Sequence, residues 1–535
     1  MIPIILSPKD SLGTVEGAVH YRFRGASGRV AWPMDHCAHL GAVGAWNIFF
    51  RMGYAPKWVR LQELDGVDIC DRLLVISSLG AWSDLQLERV ERWIRRGGRL
   101  LAAGVSAHWP QWLGYSTESD CGFQQIDNSY AALGASISSH DKLALWSPGN
   151  QPFLHVGSCG GTECQRSGSV YMVHGERFTP ERALATPLSA PLILKRGSLW
   201  YANCNPFAGF QSWLQGQEDL SPWLAWRHRL FWLDEWVADF NEILCREGIL
   251  HREKDNDIEE KTIVVLRHDL DGSRDTSYLE IEEHLGIPAT HAILKDRNTH
   301  FWVKRLEGIT SHESAFHYNT CKSDRLRSKL YSMLGRRPPS AKPARRQVVE
   351  KGLWRQVAWA KRNKIDVSTI HRHSSFLLYP EWIDAMDYVH ENFQGVLGSS
   401  SLFRSRLLRW GVDSIDGMDG VMGHFPDAQF PYWYPFKLAH AGDGGRPLKG
   451  WETTCVMETE PEFFRQILDH HIPGMPGKVI MLCYHPAHAN RPIFTKRGSR
   501  EWFREIVDTI RSADCKVMTL KDVYCRMNMR ETESL

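Results

Sequence analysis

No stretch of this sequence approaches the roughly 18 apolar residues that a membrane-spanning helix needs, so no integral membrane segment is expected. Neither charge sign dominates: 64 Lys+Arg against 62 Asp+Glu leave a net charge of +2. That balance gives no electrostatic reason to expect nucleic acid as a partner. The 12 cysteines include no CxxC pair, which removes the redox and metal motifs built on it. They are scattered through apolar segments, as at Cys245, Cys483 and Cys515, the pattern of reduced thiols in a cytoplasmic protein. Cys159 and Cys164 share a Gly-rich loop, and a disulfide stays open there. Low-complexity tracts are missing, and 43% hydrophobic with 24% charged residues is ordinary globular composition. The opening MIPIILSPKDSLG has no basic n-region and reads as a first strand, not a signal peptide.

What is present is length, tryptophan and alternation. A chain of 535 residues exceeds a single hydrophobic core. Three segments are predicted: an α/β domain over 1–220, a Trp-rich helix with a charged linker over 221–260, and a second α/β domain over 261–535. Of the 22 tryptophans, Trp213, Trp223, Trp226, Trp232 and Trp236 crowd one region and read as packing between elements.

In the first domain, short strands at 29–32, 58–61, 72–77 and 99–103 alternate with helices. Ser83 followed by Gln86 is a capping box, and Gly97-Gly98 stops the helix it starts. Residues 191–203 read as a β-hairpin around Gly197-Ser198. Strands alternating with helices of this length imply a parallel sheet with crossover helices. The arrangement resembles the flavodoxin-like scaffold of class I glutamine-amidotransferase-type domains. Cys37 and Ser106 are the nucleophile candidates such a scaffold would use, yet neither sits in a glycine-flanked elbow. A binding or scaffolding role is therefore the expectation for this half.

Four strands of the second domain end in groups that carry chemistry. Thr262–Leu266 runs into Arg267-His268-Asp269-Leu270-Asp271, and extended backbone points Asp269 and Asp271 to one side. Further on come His317 in Glu313-x-x-x-His317-Tyr318, the run His371-Arg372-His373, and Tyr484-His485-Pro486. Imidazoles and carboxylates delivered by the ends of separate strands suit a zinc-like ion with an open position. The order and spacing resemble the polysaccharide-deacetylase (NodB-homology, carbohydrate esterase family four) domain, in its branch with an Arg-His-Asp-x-Asp first motif. The likeness covers 261 to 525.

The resemblance implies a distorted (β/α) barrel that hydrolyses an N-acyl group on a sugar with a divalent metal, Zn²⁺ by the chemistry of its ligands. It implies Asp269 as catalytic base, His485 as the acid for the departing amine, and Asp271 and His317 as metal ligands. The usual second histidine of the His317 motif is replaced by Cys321. His373 is the preferred third ligand, with Cys321 and His312 as alternatives. Arg372 and the aromatic run holding Tyr432 and Trp433 are the expected substrate contacts. A glycan or glycoconjugate is the expected partner. The rival reading is a degenerate, non-catalytic carbohydrate-binding or assembly protein. The basic, proline-rich stretch 336–346 reads as a surface loop.

Overall fold

The computed structural model describes residues 1–8, 10, 40–77, 82–104, 108–115, 121–124, 132–136, 145–147, 153–156, 164–167, 169–174, 184–187, 190–203, 205–215, 231–251, 261–270, 272–319, 346–373, 381–400, 432–440, 445–457, 459, 461–488 and 499–532. Cys37, Ser106, Cys159, the strand expected at 29–32, the linker after 251 and the loop 336–345 lie outside them.

The protein is a mixed α/β fold with two parallel-rich sheets. In the first, β1 (Ile2–Leu6), β2 (Lys57–Val59), β3 (Arg72–Ile76) and β4 (Arg99–Ala103) belong to one seven-stranded sheet. It also takes in β5 (Gln165–Ser167), β6 (Ile193–Arg196) and β7 (Leu199–Ala202). The spatial order is β2-β1-β3-β4-β7-β6-β5, parallel as far as β7. The hairpin expected around Gly197 is the antiparallel pair β6–β7. The capping box forms as expected: the Ser83 backbone N–H donates to Gln86 Oε1 at 2.8 Å, and the helix runs Asp84–Arg95. Gly97, at φ 84°, supplies the left-handed residue that ends it. A separate four-stranded antiparallel sheet is built from 132–136, 145–147, 169–174 and 184–187.

The second sheet has ten strands. Its centre is β8 (Thr262–Asp269), whose residues from Ile263 onward are all buried, as expected of a parallel strand covered on both faces. On one side follow β9 (Thr290–Leu294), β10 (Glu313–Asn319), β11 (Thr369–His373) and β12 (Gly398–Ser400). Beyond them, at that edge, lie β13 (Phe436–His440) and β14 (Arg446–Glu452), β13 being antiparallel to β14. On the other side lie β15 (Cys455–Met457) and β16 (Val479–Tyr484), and β17 (Cys515–Val517) pairs with the start of β8. Strands β14 and β15 stand seven positions apart in the sheet order, a separation of about 34 Å were the sheet flat. Yet Glu452 and Cys455 are three peptide steps apart, a reach of about 11 Å at most. The sheet must therefore curl until its edges approach, and side chains from opposite strands meet inside the curl.

Helix α1 (Gly41–Arg51) joins the two sheets, and all eleven of its residues are buried. A helix apolar around its whole girth belongs inside a core. Trp46 and Phe50 pack on Trp451 of β14, with ring centroids 5.6 and 5.1 Å apart. Asn47 and Arg51 find partners across this core, whereas Trp46 Nε1 and Arg51 Nη2 are buried without one among the described residues. Asn47 Nδ2 donates to Gln211 Oε1 (2.7 Å) and to the Lys437 carbonyl (2.9 Å), and its Oδ1 accepts from the Lys437 N–H (2.8 Å). Arg51 pairs with the equally buried Asp234 at 2.8 Å. One continuous hydrophobic core accordingly runs through both halves.

A methyl group at Gly44 would overlap the backbone carbonyl of Phe207, on the neighbouring helix Pro206–Gln215. Backbone cannot move aside as a side-chain tip can. Gly44→Ala is expected to cost about 1–3 kcal/mol through overpacking, read as a lower denaturation midpoint at unchanged slope.

Candidate active site

Alternation along β8 sends Arg267 and Asp269 into the curl and His268 outward. Asp269 is buried at the C-terminal end of the strand, where parallel α/β folds carry their sites. Its carboxylate is held by Arg267 in a two-pronged grip: Nε to Oδ1 at 2.8 Å and Nη2 to Oδ2 at 2.7 Å. The same guanidinium crosses the interior to the Ser400 hydroxyl (3.0 Å) and approaches Cys455 Sγ (3.5 Å). His371 shares that hydroxyl, with Nδ1 2.6 Å from Ser400 Oγ.

Two further imidazoles converge on Asp269. His317 Nε2, buried on β10, is 3.8 Å from Oδ2, and His485 Nε2 is 3.5 Å from the same oxygen. His485 follows β16, and its side chain is 16% exposed, so the cluster reaches the surface there. Cys483 adds a buried thiol: ligand atoms of Asp269, Cys483 and His485 all lie within 4.8 Å of one another.

The electrostatics follow from burial and one arginine. Burial by itself would raise the Asp269 carboxyl, but Arg267, followed by His317, His485 and His371, outweighs it and holds the group well below the usual carboxylate range. Burial and the Arg267 charge push His371 well below the ordinary histidine value, so it stays neutral. Burial also pushes the Cys455 thiol up to about 12. The arrangement thus fixes an anion beside two imidazoles, a geometry suited to passing a proton.

A carboxylate oxygen 3.5–3.8 Å from two imidazole nitrogens has the spacing of ligands around one ion, since each zinc ligand sits at about 2.0–2.2 Å. The oxygen, nitrogen and sulfur donors gathered here are those zinc-like ions take. Arg267 occupies Asp269, however, which makes that carboxylate a poor ligand and leaves His317 as the firmest described donor.

Not every expected residue joins this cluster. Asp271 and Cys321 lie outside the described residues, as do the side chains of Arg372 and His373. The backbone of His373 pairs with Asn319 at the C-terminal end of β11, beyond the His317–His371 pair. His312 stands apart: its Nδ1 is 3.2 Å from His291 on the outer face of the sheet. It is removed as an alternative third ligand, because it precedes β10 and strand geometry carries it away from His317. Glu313 is a buried structural acid, accepting from Thr290 Oγ1 (2.8 Å) and the Lys521 N–H (3.0 Å). Tyr432 and Trp433 are corrected as substrate contacts. They are 1% and 2% exposed, with Tyr432 edge-on to Phe210 at 5.6 Å. Their ring area is spent in the core between the halves, so no face remains for a sugar.

Sequence reading missed Arg267 as the partner of Asp269, although the same two-residue alternation that linked Asp269 to Asp271 applies to it. Ser400 and Cys455 carried no local signal, because they arrive from strands four and two positions away in the sheet.

No family model matches the chain, and no curated protein does. Among solved structures, an α-L-fucosidase isoenzyme from Paenibacillus thiaminolyticus is similar at 10% identity and TM-score 0.27, over 46% of this chain and 33% of its own length. The Xyl-CE4 domain of a multidomain xylanase, from the hindgut metagenome of Trinervitermes trinervoides, is similar at 11% identity and TM-score 0.25. That likeness covers 50% of this chain and 92% of that one. Agd3, a carbohydrate deacetylase, is similar at 10% identity and TM-score 0.26, over 100% of this chain and 88% of its own. Among the described residues, no helix is long and apolar enough to cross a membrane.

Proposed function

We propose that the protein hydrolyses an N-acyl group, such as N-acetyl, on a sugar of a polysaccharide or glycoconjugate, with a zinc-like divalent ion as cofactor. The observation that carries the reading is the buried Asp269, fixed by Arg267, with His317 and His485 within 3.8 Å at the C-terminal mouth of a curled parallel sheet. The curl supports a (β/α) barrel of the deacetylase type. In the other half, the parallel order β2-β1-β3-β4-β7 supports a flavodoxin-like scaffold.

Asp271, His317 and His373 would hold the ion, which when bound polarises an acyl carbonyl and makes water more acidic. Asp269 is ionised at any working pH and accepts the attacking water's proton at Oδ2. Arg267 lowers its proton affinity, so the proton does not stay. His485, 3.5 Å away, delivers a proton to the departing amine nitrogen. Arg372 contacts the substrate. The thiols of Cys70, Cys455, Cys515 and Cys525 form no disulfide, which supports a reducing, cytoplasmic setting.

A specific observation favours the rival, non-catalytic reading: a carboxylate gripped this firmly is a weak base. Assay of N-acetylated oligosaccharides with metal-replete protein separates the two. Asp271→Ala is expected to abolish both turnover and one equivalent of bound metal. Unchanged metal content and activity in that variant would sink the site assignment.

A further inference from the structure

On the outer face of the second sheet, away from Asp269, a second set of metal-type side chains has no part in the chemistry above. His268 on β8 and His291 on β9 are neighbours in register, both facing the helix Ser277–Leu285. That helix contributes Glu282, which is fully buried. Glu282 Oε1 lies 2.6 Å from His268 Nε2. Its other oxygen, Oε2, is buried without a hydrogen-bond partner and points within 3.9 Å of His291 Nε2. His312 Nδ1 lies 3.2 Å from that same nitrogen.

We infer that Glu282, His291 and His312 form a second site for a divalent transition ion of the zinc class, independent of the strand-end cluster and of the activity proposed for it. Three arguments converge. The first is charge. A fully buried carboxylate is costly unless a cation pairs with it. Among the described residues no lysine or arginine pairs with Glu282; His268 meets its Oε1 alone at 2.6 Å, and the nearby Arg305 is committed to Glu283 at 2.9 Å.

The second argument is geometry. Two ligands about 2.05 Å from a tetrahedral ion stand about 3.3 Å apart. The 3.2 Å between His291 and His312 fits as it stands, the 3.9 Å from His291 to Glu282 is about half an ångström long, and all three ligand atoms lie within 4.8 Å of one another. One carboxylate and two imidazoles leave a fourth position open, and His312 is half-buried.

The third is the surrounding shell. Tyr278 Oη stands 3.3 Å from His291 Nδ1, which can hold the proton there and turn the lone pair of Nε2 inward. His268 does the same for the carboxylate, occupying Oε1 and leaving Oε2 for the ion. The ion would staple the helix Ser277–Leu285 and the turn at His312 to the sheet.

The test uses the full chain, stripped with chelator and titrated with zinc under equilibrium dialysis. Wild type is expected to bind one equivalent more than either His312→Ala or Glu282→Gln, with matching circular-dichroism spectra. Equal stoichiometry in wild type and both folded variants would overturn the site. Should a variant fail to fold, wild type alone decides through diethyl pyrocarbonate labelling read by mass spectrometry. Saturating zinc is expected to protect His312, and labelling unchanged by zinc would overturn the proposal. Because the readout is metal bound at residues outside the strand-end cluster, an inactive deacylase leaves this outcome unaffected.

Discussion

Arg267→Leu is expected to lower stability by about 3–5 kcal/mol, the cost of leaving one member of a buried ion pair without the other. Both side chains are essentially without solvent contact, so water cannot take over the stranded charge of Asp269. The sign of the pH dependence follows from the direction of the shift. In the wild type the Asp269 carboxyl lies below its ordinary range. The pair therefore stabilises at every pH above the unfolded value of about 3.9, and is lost only as pH falls through the lower folded value. Without Arg267, burial is opposed only by the histidines, and the carboxyl moves up. The variant's deficit should then be largest at neutral and alkaline pH and shrink as acid protonates Asp269. Urea denaturation at several pH values reads this directly. A deficit that does not change with pH would mean that Arg267 acts through packing, not charge. The double variant Arg267→Met with Asp269→Leu is expected to recover most of the loss, because an apolar pair of similar volume often matches a buried ion pair.

His485→Gln is expected to lower kcat on an N-acetyl amino sugar by about 10²–10⁴-fold, the range for loss of a general acid–base group. Glutamine keeps the polarity but carries no transferable proton. The residue follows β16 and is partly exposed, so the fold should survive and the denaturation midpoint should stay near that of the wild type. Its role as proton donor makes a sharper demand. An amine leaving group needs a proton, whereas the anion of an activated aryl ester does not. Hydrolysis of an aryl acetate should therefore fall far less than amide hydrolysis in the same variant. Equal losses on both substrates would assign His485 to binding or positioning instead.

The local devices were legible because each is written within a few residues. Ser83 and Gln86 close a capping box wherever the helix packs, and Gly97 ends that helix because only glycine takes its left-handed backbone without strain. The buried run of β8 and the hairpin at 193–202 follow from patterns of the same short range. The placement of Asp269 at a strand end was likewise readable. The aromatic run holding Tyr432 and Trp433 invited a sugar platform, because an aromatic face looks the same in sequence whether it meets a ligand or a core.

By itself, then, the sequence determined the β/α alternation, the strand ends that carry acids and imidazoles, and the absence of any long apolar span among its segments. Tertiary structure alone decided which of those groups meet. The curl of the second sheet carried Ser400 to Arg267, Cys455 joined it from the next strand but one, and that arginine became the clamp on Asp269. Two-residue alternation, read across neighbouring strands, sent His268 and His291 to the opposite face, where His312 and Glu282 join them. The buried helix Gly41–Arg51 drew Trp451 and the chain around Tyr432 into a shared core. Each of these depends on contacts between residues tens to hundreds of positions apart. Periodicity assigns a residue to a face, but the partner opposite that face is set by how the sheets close.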